Sequence, residues 1–224
     1  MPQATKQHPD ALLVHYLFLR KTVGVLGILL PLVLIFGVKI LSKCNILQDS
    51  ISDYYYTKLG HYMTGTLFAV AFFMFSYRGY DQKDYWAGKA ASLFSLGVAF
   101  FPCSNYYPLS ECKVLKLEAN DTINIIHFSS ATLLFLTFAF FSLILFTKGS
   151  PHPTKRKTQR NVVYKICGVL ILLSIILIFV YSVIPALHDK LKDYKPIFWL
   201  EFLALASFGI SWLTKGEGLL PDKK

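Results

Sequence analysis

Three ionisable side chains lie in apolar stretches of this sequence, His61, His127 and Glu201. An ionisable group at membrane depth is costly unless it is paired or hydrated, so such groups indicate function. Imidazole nitrogen and carboxylate oxygen are zinc ligands, and zinc with an open position activates water for hydrolysis. His61, His127 and Glu201 are therefore the candidate catalytic residues, and they would be the metal ligands of a zinc-dependent hydrolase.

Other polar residues near the same ends of the apolar stretches are candidate binding residues: Asp53, Tyr54, Asp121, Asn124, Tyr181 and His188. The depth of each residue is estimated by counting from the cytoplasmic end of its predicted helix at about 1.5 Å per residue. His61 lies about 25 Å and Glu201 about 21 Å from the cytoplasmic boundary, and His127 and Tyr181 both lie about 31 Å from it. These depths fall in the outer third of a bilayer. No HxxxH or HxxE spacing places two metal ligands on one face of a helix. The alternative is that there is no metal site: the histidines lie at the membrane interface, and Glu201 forms a hydrogen bond to a neighbouring helix.

The composition indicates a membrane protein. Apolar and aromatic residues make up 54% of the 224 residues, charged residues 16%, and mean hydropathy is +0.47, which excludes an ordinary soluble domain and a disordered chain. We predict an all-α, polytopic protein with six transmembrane helices in one domain, residues 1–224. The predicted spans are 22–40, 54–77, 88–101, 122–147, 162–184 and 196–214. The third is short, but Ala91, Ser95 and Ala99 form a stripe of small residues that favours close packing inside the bundle.

The distribution of basic residues orients the predicted bundle. With the N-terminus inside, fifteen of the 23 Lys and Arg residues lie on the cytoplasmic side and eight outside, which favours cytoplasmic positions for both termini. The cytoplasmic parts would be the N-terminal segment 1–21, the basic loop 148–161 and the tail 215–224. The basic run 155–160 is topogenic on this interpretation, and nothing in the sequence indicates nucleic-acid binding.

Four cysteines are too few for a disulfide scaffold. Cys103 and Cys112 share one predicted outer loop, on the oxidising side, so we predict a disulfide between them, with two free thiols as the alternative. Cys44 and Cys167 belong to no CxxC pair.

The predicted function is a lipid-facing one, without an assigned activity, centred on a polar pocket open to the outer leaflet, with membrane lipids as partners. The first alternative is a metal-dependent, membrane-embedded lipid hydrolase, for which zinc would be the cofactor. The second is a proton- or ion-coupled transporter that uses Glu201 and a histidine. GxSxG, HExxH, GxxxxGK[ST] and GxGxxG motifs do not occur in the sequence.

Four short strings carry a resemblance: SISDYYYT at 50–57, FSYRGYD at 75–81, GVAFFP at 97–102 and IHFSSA at 126–131. They resemble a family of uncharacterised six-span bacterial inner-membrane proteins, and the likeness covers most of the chain. The resemblance implies a multi-pass inner-membrane location and brings no activity with it. In layout the chain is also distantly similar to six-span proteins of the DRAM and Sfk type, which are associated with membrane lipid organisation.

The chain departs from the family pattern at two positions. Gly60-His61 stands where the family usually has Arg-Asp, so His61 is not implied as a family-wide functional residue. Cys103 follows Pro102 where Thr is more usual, so the predicted Cys103–Cys112 bond would be a local feature.

Overall fold

The computed structural model describes residues 9–42, 44–103, 112–115, 120–149 and 151–221, with side chains from Tyr16 onward. The first residues of the predicted N-terminal segment and the last of the predicted tail lie outside the described residues. The described residues form helices and connecting segments only. The α-helices are α1 (Pro9–Ser42), α2 (Gly60–Ser76), α3 (Gln82–Phe100), α4 (Asp121–Phe140), α5 (Lys155–Val183), α6 (Pro185–Leu191) and α7 (Pro196–Lys215). A π-helical turn, Phe141–Leu145, extends α4, and 3-10 turns lie at Ser52–Tyr56 and Lys192–Tyr194.

The six long helices form a ring. Helix α1 packs on α2, α2 on α3, α3 on α4, α4 on α5, α5 on α7, and α7 packs back on α1. Each long helix lies beside the next one in the chain, as in an antiparallel bundle with short connections. Segments 44–57, 101–103, 112–115 and 184–195 thus lie together at one end, which we call the disulfide end. Segments 77–81, 146–149 and 215–221 lie at the other, the basic end.

Small residues let the helices approach closely. A Cβ on Gly24 would lie 2.8 Å from the carbonyl oxygen of Gly209, and one on Gly209 would lie 2.6 Å from that of Gly24. Between α2 and α3, the Ser95 hydroxyl donates to the Leu67 carbonyl at 2.9 Å. Ala91, Ser95 and Ala99 are all buried, which confirms the predicted interior stripe on α3.

The outer surface of the ring is strongly apolar. Large side chains on different helices are more than half exposed, including Phe36, Phe72, Leu93, Phe128 and Phe179. A soluble protein rarely leaves so much apolar surface in water. Helical segments Tyr16–Ser42, Asp121–Leu145, Lys155–Val183 and Pro196–Lys215 are long and apolar enough to cross a membrane. The protein is thus all-helical, with several helices suited to a bilayer.

Four rather than six helices meet this criterion among the described residues. The prediction that the second span begins at Tyr54 was wrong, because Ser52–Tyr56 form a 3-10 turn and α2 begins at Gly60. Helix α2 has 17 residues and is therefore about 25 Å long, somewhat less than the roughly 30 Å of a hydrocarbon core. Helix α3 carries Lys83, Asp84 and Lys89 in its first half, which lowers its hydropathy.

Candidate functional site

A short turn at the disulfide end brings the predicted polar residues together. It comprises residues 50–57, and we call it the Ser52 turn. Ser50 begins it as a local cap: its hydroxyl accepts from the Asp53 N–H at 3.0 Å and donates to the Asp53 carboxylate at 3.1 Å. The turn ends at Thr57, whose N–H donates to the Tyr54 carbonyl at 3.1 Å. The turn contacts α2 without continuing it, and hydrogen bonds join it to α4 and α7.

Glu201 of α7 caps this turn. Its Oε2 accepts a hydrogen bond of 2.6 Å from the Ile51 N–H, and the Ser52 N–H also donates to the carboxylate. The first N–H groups of a helical turn have no partner within the turn and favour a negative group. Glu201 therefore has a structural partner at this depth, which removes part of the cost of placing a carboxylate there.

His127 of α4 holds the other side of the Ser52 turn. Its Nδ1 lies 2.7 Å from the Phe101 carbonyl oxygen, and its Nε2 lies 3.1 Å from the Ser52 hydroxyl. A carbonyl oxygen only accepts, so Nδ1 carries the proton and Nε2 accepts from the Ser52 O–H. The imidazole is almost completely buried. His127 and Glu201 thus both form hydrogen bonds with Ser52, one with its hydroxyl and the other with its N–H.

Asp53 lies on the far side of the turn in a second polar group. Its carboxylate is 3.7 Å from Lys113 Nζ and 4.0 Å from the Cys103 thiol. Burial raises the pKa of Asp53, while the Lys113 charge acts in the opposite direction. Burial also raises the pKa of the Cys103 thiol, with a further contribution from the Asp53 charge. Tyr56 donates a hydrogen bond to the Cys103 carbonyl.

The disulfide prediction was wrong in its pairing. Cys112 is bonded to Cys44, with a Cα–Cα distance of 5.2 Å, and Cys103 is a buried free thiol. Sequence proximity suggested Cys103, but bonding requires Cα atoms within about 7 Å, and the end of α1 brings Cys44 to that distance from Cys112. The bond ties segment 112–115 to the end of α1. That segment also contacts the Ser52 turn, since the N–H groups of Val114 and Leu115 donate to the Tyr56 carbonyl at 2.9 and 3.2 Å.

The remaining predicted binding residues are dispersed around the disulfide end. Tyr54 is buried and packs on Phe198, with ring centroids 6.2 Å apart. Tyr181 contacts the exposed His188, whose ring centroid is 5.3 Å away. In the first turn of α4, Asp121 is exposed and Asn124 is half-buried.

His61 lies apart from Glu201 and His127 in an open groove. The groove has a volume of about 690 Å³. Its polar residues are Tyr55, Thr57, Lys58, His61 and Thr64, and its apolar wall comprises Gly60, Gly65, Phe68, Ala99, Phe100, Val114 and Leu115. We call it the His61 groove.

The three predicted metal ligands are not arranged as one metal centre. Over the residues that the structure describes, which include His61, His127 and Glu201, no three His, Cys, Asp or Glu side chains could hold one ion together. A zinc site needs three or four ligands within about 2.3 Å of the metal. The structure therefore offers no observation in favour of the zinc-dependent mechanism.

Several important residues were missed in the sequence. Ser52 and Lys58 were not singled out, although Ser-x-x-Asp at 50–53 is a capping signature typical of the start of a helical turn. The Phe101 carbonyl and the Cys44–Cys112 bond had no sequence signal, because both depend on how distant segments meet.

Comparison of the chain with models of protein families, with curated proteins and with solved structures finds no match. The resemblance to six-span inner-membrane proteins therefore stays a prediction.

Proposed function

We propose that this chain is a six-span protein of a bacterial inner membrane that binds a lipid of the outer leaflet in the His61 groove. The ring of six helices, each packed on the next, supports six crossings, and α2 and α3 complete the ring between α1 and α4. The Cys44–Cys112 bond favours an oxidising exterior for the disulfide end. The basic residues of the opposite end favour the cytoplasm, together with both termini.

The observation that carries the lipid-binding proposal is the two-part lining of the groove. Lys58 and His61 provide donors for a polar headgroup, while Gly65, Phe68 and Phe100 provide an apolar wall. Phe68 and Phe100 are in edge-to-face contact, with centroids 5.0 Å apart, so the wall has a defined shape. A Cβ on Gly65 would meet no atom within 4 Å, so the backbone of α2 faces open space at this point.

The groove is preformed because the Ser52 turn is held from several sides. Glu201 caps its first N–H groups, His127 binds Ser52, and Val114 binds the Tyr56 carbonyl. The same turn supplies Tyr55, Thr57 and Lys58 to the groove. A rigid site loses less conformational entropy on binding than one that must be ordered. On this account Glu201 and His127 act as positioning residues for the groove.

Filling the groove tests the proposal. Gly65→Leu adds bulk where the backbone has no neighbour, and Ser182→Leu places the same side chain at an exposed position of α5 near the same end. We expect Gly65→Leu to weaken binding of a fluorescent phosphatidylglycerol to the detergent-purified protein by at least about tenfold, roughly 1.4 kcal/mol, and Ser182→Leu to leave it unchanged. Equal binding by both variants would refute the lipid site.

A second pair of variants tests whether Lys58 binds the lipid headgroup. Lys58→Gln removes a cation from the groove, whereas Lys190→Gln removes an exposed cation from α6. Only the first should reduce the preference for phosphatidylglycerol over phosphatidylcholine. A preference that is the same in both variants would mean that Lys58 does not contact the headgroup.

A second candidate, hydrolysis of a lipid ester, rests on the Ser52–His127 hydrogen bond. The tautomer of His127 suits it to accept the Ser52 proton as Oγ attacks an ester carbonyl. His127 would return that proton to the departing alcohol, and water would then hydrolyse the acyl-serine. Ser52 also lines a small cavity of about 50 Å³ together with Glu201 and apolar residues such as Leu30 and Met63.

A covalent probe distinguishes this candidate from lipid binding alone. If Ser52 is a nucleophile, an alkyl fluorophosphonate should label the wild-type protein in membranes and should fail to label Ser52→Ala and His127→Gln. Ser182→Ala is the control, because the exposed Ser182 hydroxyl donates to the Ile178 carbonyl within α5, outside the Ser52 turn. Absence of labelling in the wild type would remove the hydrolase candidate.

A further inference from the structure

Five of the nine residues that line a cavity at the basic end are cations. Its volume is about 410 Å³, and its charged lining residues are Arg20, Lys148, Lys157, Arg160, Lys215 and Glu217. They come from α1, α5, α7 and the segments that follow α4 and α7. Tyr80, Tyr164 and Gly149 complete the lining. We call it the Arg20 cavity.

The positive charge of the Arg20 cavity exceeds the negative charge around it. Lys148 is bound by Asp81 and Asp84 at 2.8 and 2.9 Å, and Arg160 lies 3.7 Å from Glu217. In the part of the chain that the structure describes, no carboxylate forms an ion pair with Arg20, Lys157 or Lys215. A cleft lined by one sign of charge concentrates ions of the other sign.

Arg20 provides the independent observation that points to a ligand. It is only 4% exposed, and its Nε and Nη2 atoms are buried without a hydrogen-bond partner among the described residues. Its guanidinium carbon lies 4.0 Å from the centroid of the Tyr16 ring. Stacking occupies the face of the guanidinium, and one side-chain hydrogen bond joins the group to Tyr80, so the N–H groups of Nε and Nη2 are the ones that lack an acceptor. Buried N–H groups of this kind are costly unless they are bonded.

We propose that the Arg20 cavity binds a phosphate group. Arginine presents paired N–H donors that match phosphate oxygens, and lysine adds point charges around them. Three helices supply cations to the space, Arg20 from α1, Lys157 and Arg160 from α5 and Lys215 from α7, so a bound phosphate would bridge α1, α5 and α7. The volume lies within the range of small-molecule sites, so it accommodates a phosphate with an attached group. The phosphate comes either from a lipid headgroup or from a soluble phosphate compound.

Calorimetric titration of the full-length, detergent-purified protein tests the site with three probes: inorganic phosphate, glycerol 3-phosphate and short-chain phosphatidic acid. Binding of either soluble probe supports the site and identifies a soluble source. Binding of phosphatidic acid alone supports it and identifies a lipid source. If none of the three probes binds, the proposal is overturned.

Variants link binding to the cavity. Arg20→Gln should weaken the probe that binds by at least about tenfold, whereas Arg78→Gln, which removes an exposed arginine at the same end, should leave affinity unchanged. Gel filtration shows whether Arg20→Gln is folded. If it is not, the affinity of the same probe is measured for Lys215→Gln, in which we also expect weaker binding. If Arg20→Gln folds and binds the probe with wild-type affinity, the proposal is overturned. If Arg20→Gln does not fold, wild-type affinity in Lys215→Gln overturns it.

Discussion

The Glu201 carboxylate lies 2.6 Å from the backbone nitrogen of Ile51, a residue 150 positions earlier in the chain. This bond joins α7 to the Ser52 turn and so holds one side of the His61 groove. It also explains how a carboxylate is accommodated in an apolar helix, because the turn brings backbone donors to it.

Removing this acceptor should destabilise the protein. Glu201→Ala leaves the Ile51 and Ser52 N–H groups without their acceptor, and we expect a loss of about 1–3 kcal/mol in unfolding free energy. Glu201→Gln keeps an acceptor oxygen and should lose less. Thermal unfolding in detergent compares the two, and equal Tm values for Glu201→Ala and wild type would contradict the role given to Glu201.

Thiol counting tests the disulfide. Wild-type protein denatured without reductant should react with maleimide at Cys103 and Cys167 only. Cys44→Ser should gain a reactive thiol at Cys112 and lose about 2–4 kcal/mol of stability, because the closed loop is long. Cys103→Ser is the control that should keep the bond. A bond that persists in Cys44→Ser would contradict the pairing.

The contact between α1 and α7 should not tolerate a methyl group. Gly209→Ala would place Cβ 2.6 Å from the Gly24 carbonyl oxygen, which forces the helices apart. We expect a loss of about 1–3 kcal/mol from overpacking. Gly65→Ala, whose Cβ would meet nothing within 4 Å, is the matched helical control and should be neutral or slightly stabilising. The Tm difference between the two alanine variants measures this effect directly.

Asp53 should make stability fall as pH rises. Its pKa is raised above the ordinary 3.8 by burial, so the folded state holds the proton more tightly than the unfolded state. This contribution is fully present below the unfolded pKa near 3.8 and is lost as pH rises through the folded pKa. Asp53→Asn should flatten that part of the stability profile, measured by chemical unfolding at a series of pH values. A profile unchanged by Asp53→Asn would exclude this effect.

The helical fold was largely predictable, whereas the site was predictable only in part. Long apolar runs and the stripe at Ala91, Ser95 and Ala99 depend on local pattern, and the structure agrees with both. The second span was placed too early because Tyr54 to Tyr56 are apolar enough to extend it, although the Ser50 cap starts a separate turn. Local pattern contains no information about how that turn folds back into the bundle.

The grouping of the polar residues was also predictable only in part from the sequence. Counting along helices placed both His127 and Glu201 in the outer third of the bilayer, and the structure brings both to Ser52. Depth does not specify the side of a helix, so His61 was grouped with them although it faces a different space. The Cys44–Cys112 pairing failed for an equivalent reason, because sequence distance says little about Cα distance.

Photocrosslinking in intact membranes tests the central proposal, lipid binding in the His61 groove, most directly. A benzophenone amino acid replaces Phe68 in the groove or, as the control, Ile176 on the exposed face of α5. Mass spectrometry then identifies the attached lipid. We predict one dominant, anionic lipid class at position 68 and a mixture that follows the bulk membrane at position 176. The same bulk mixture at both positions would contradict a specific lipid site.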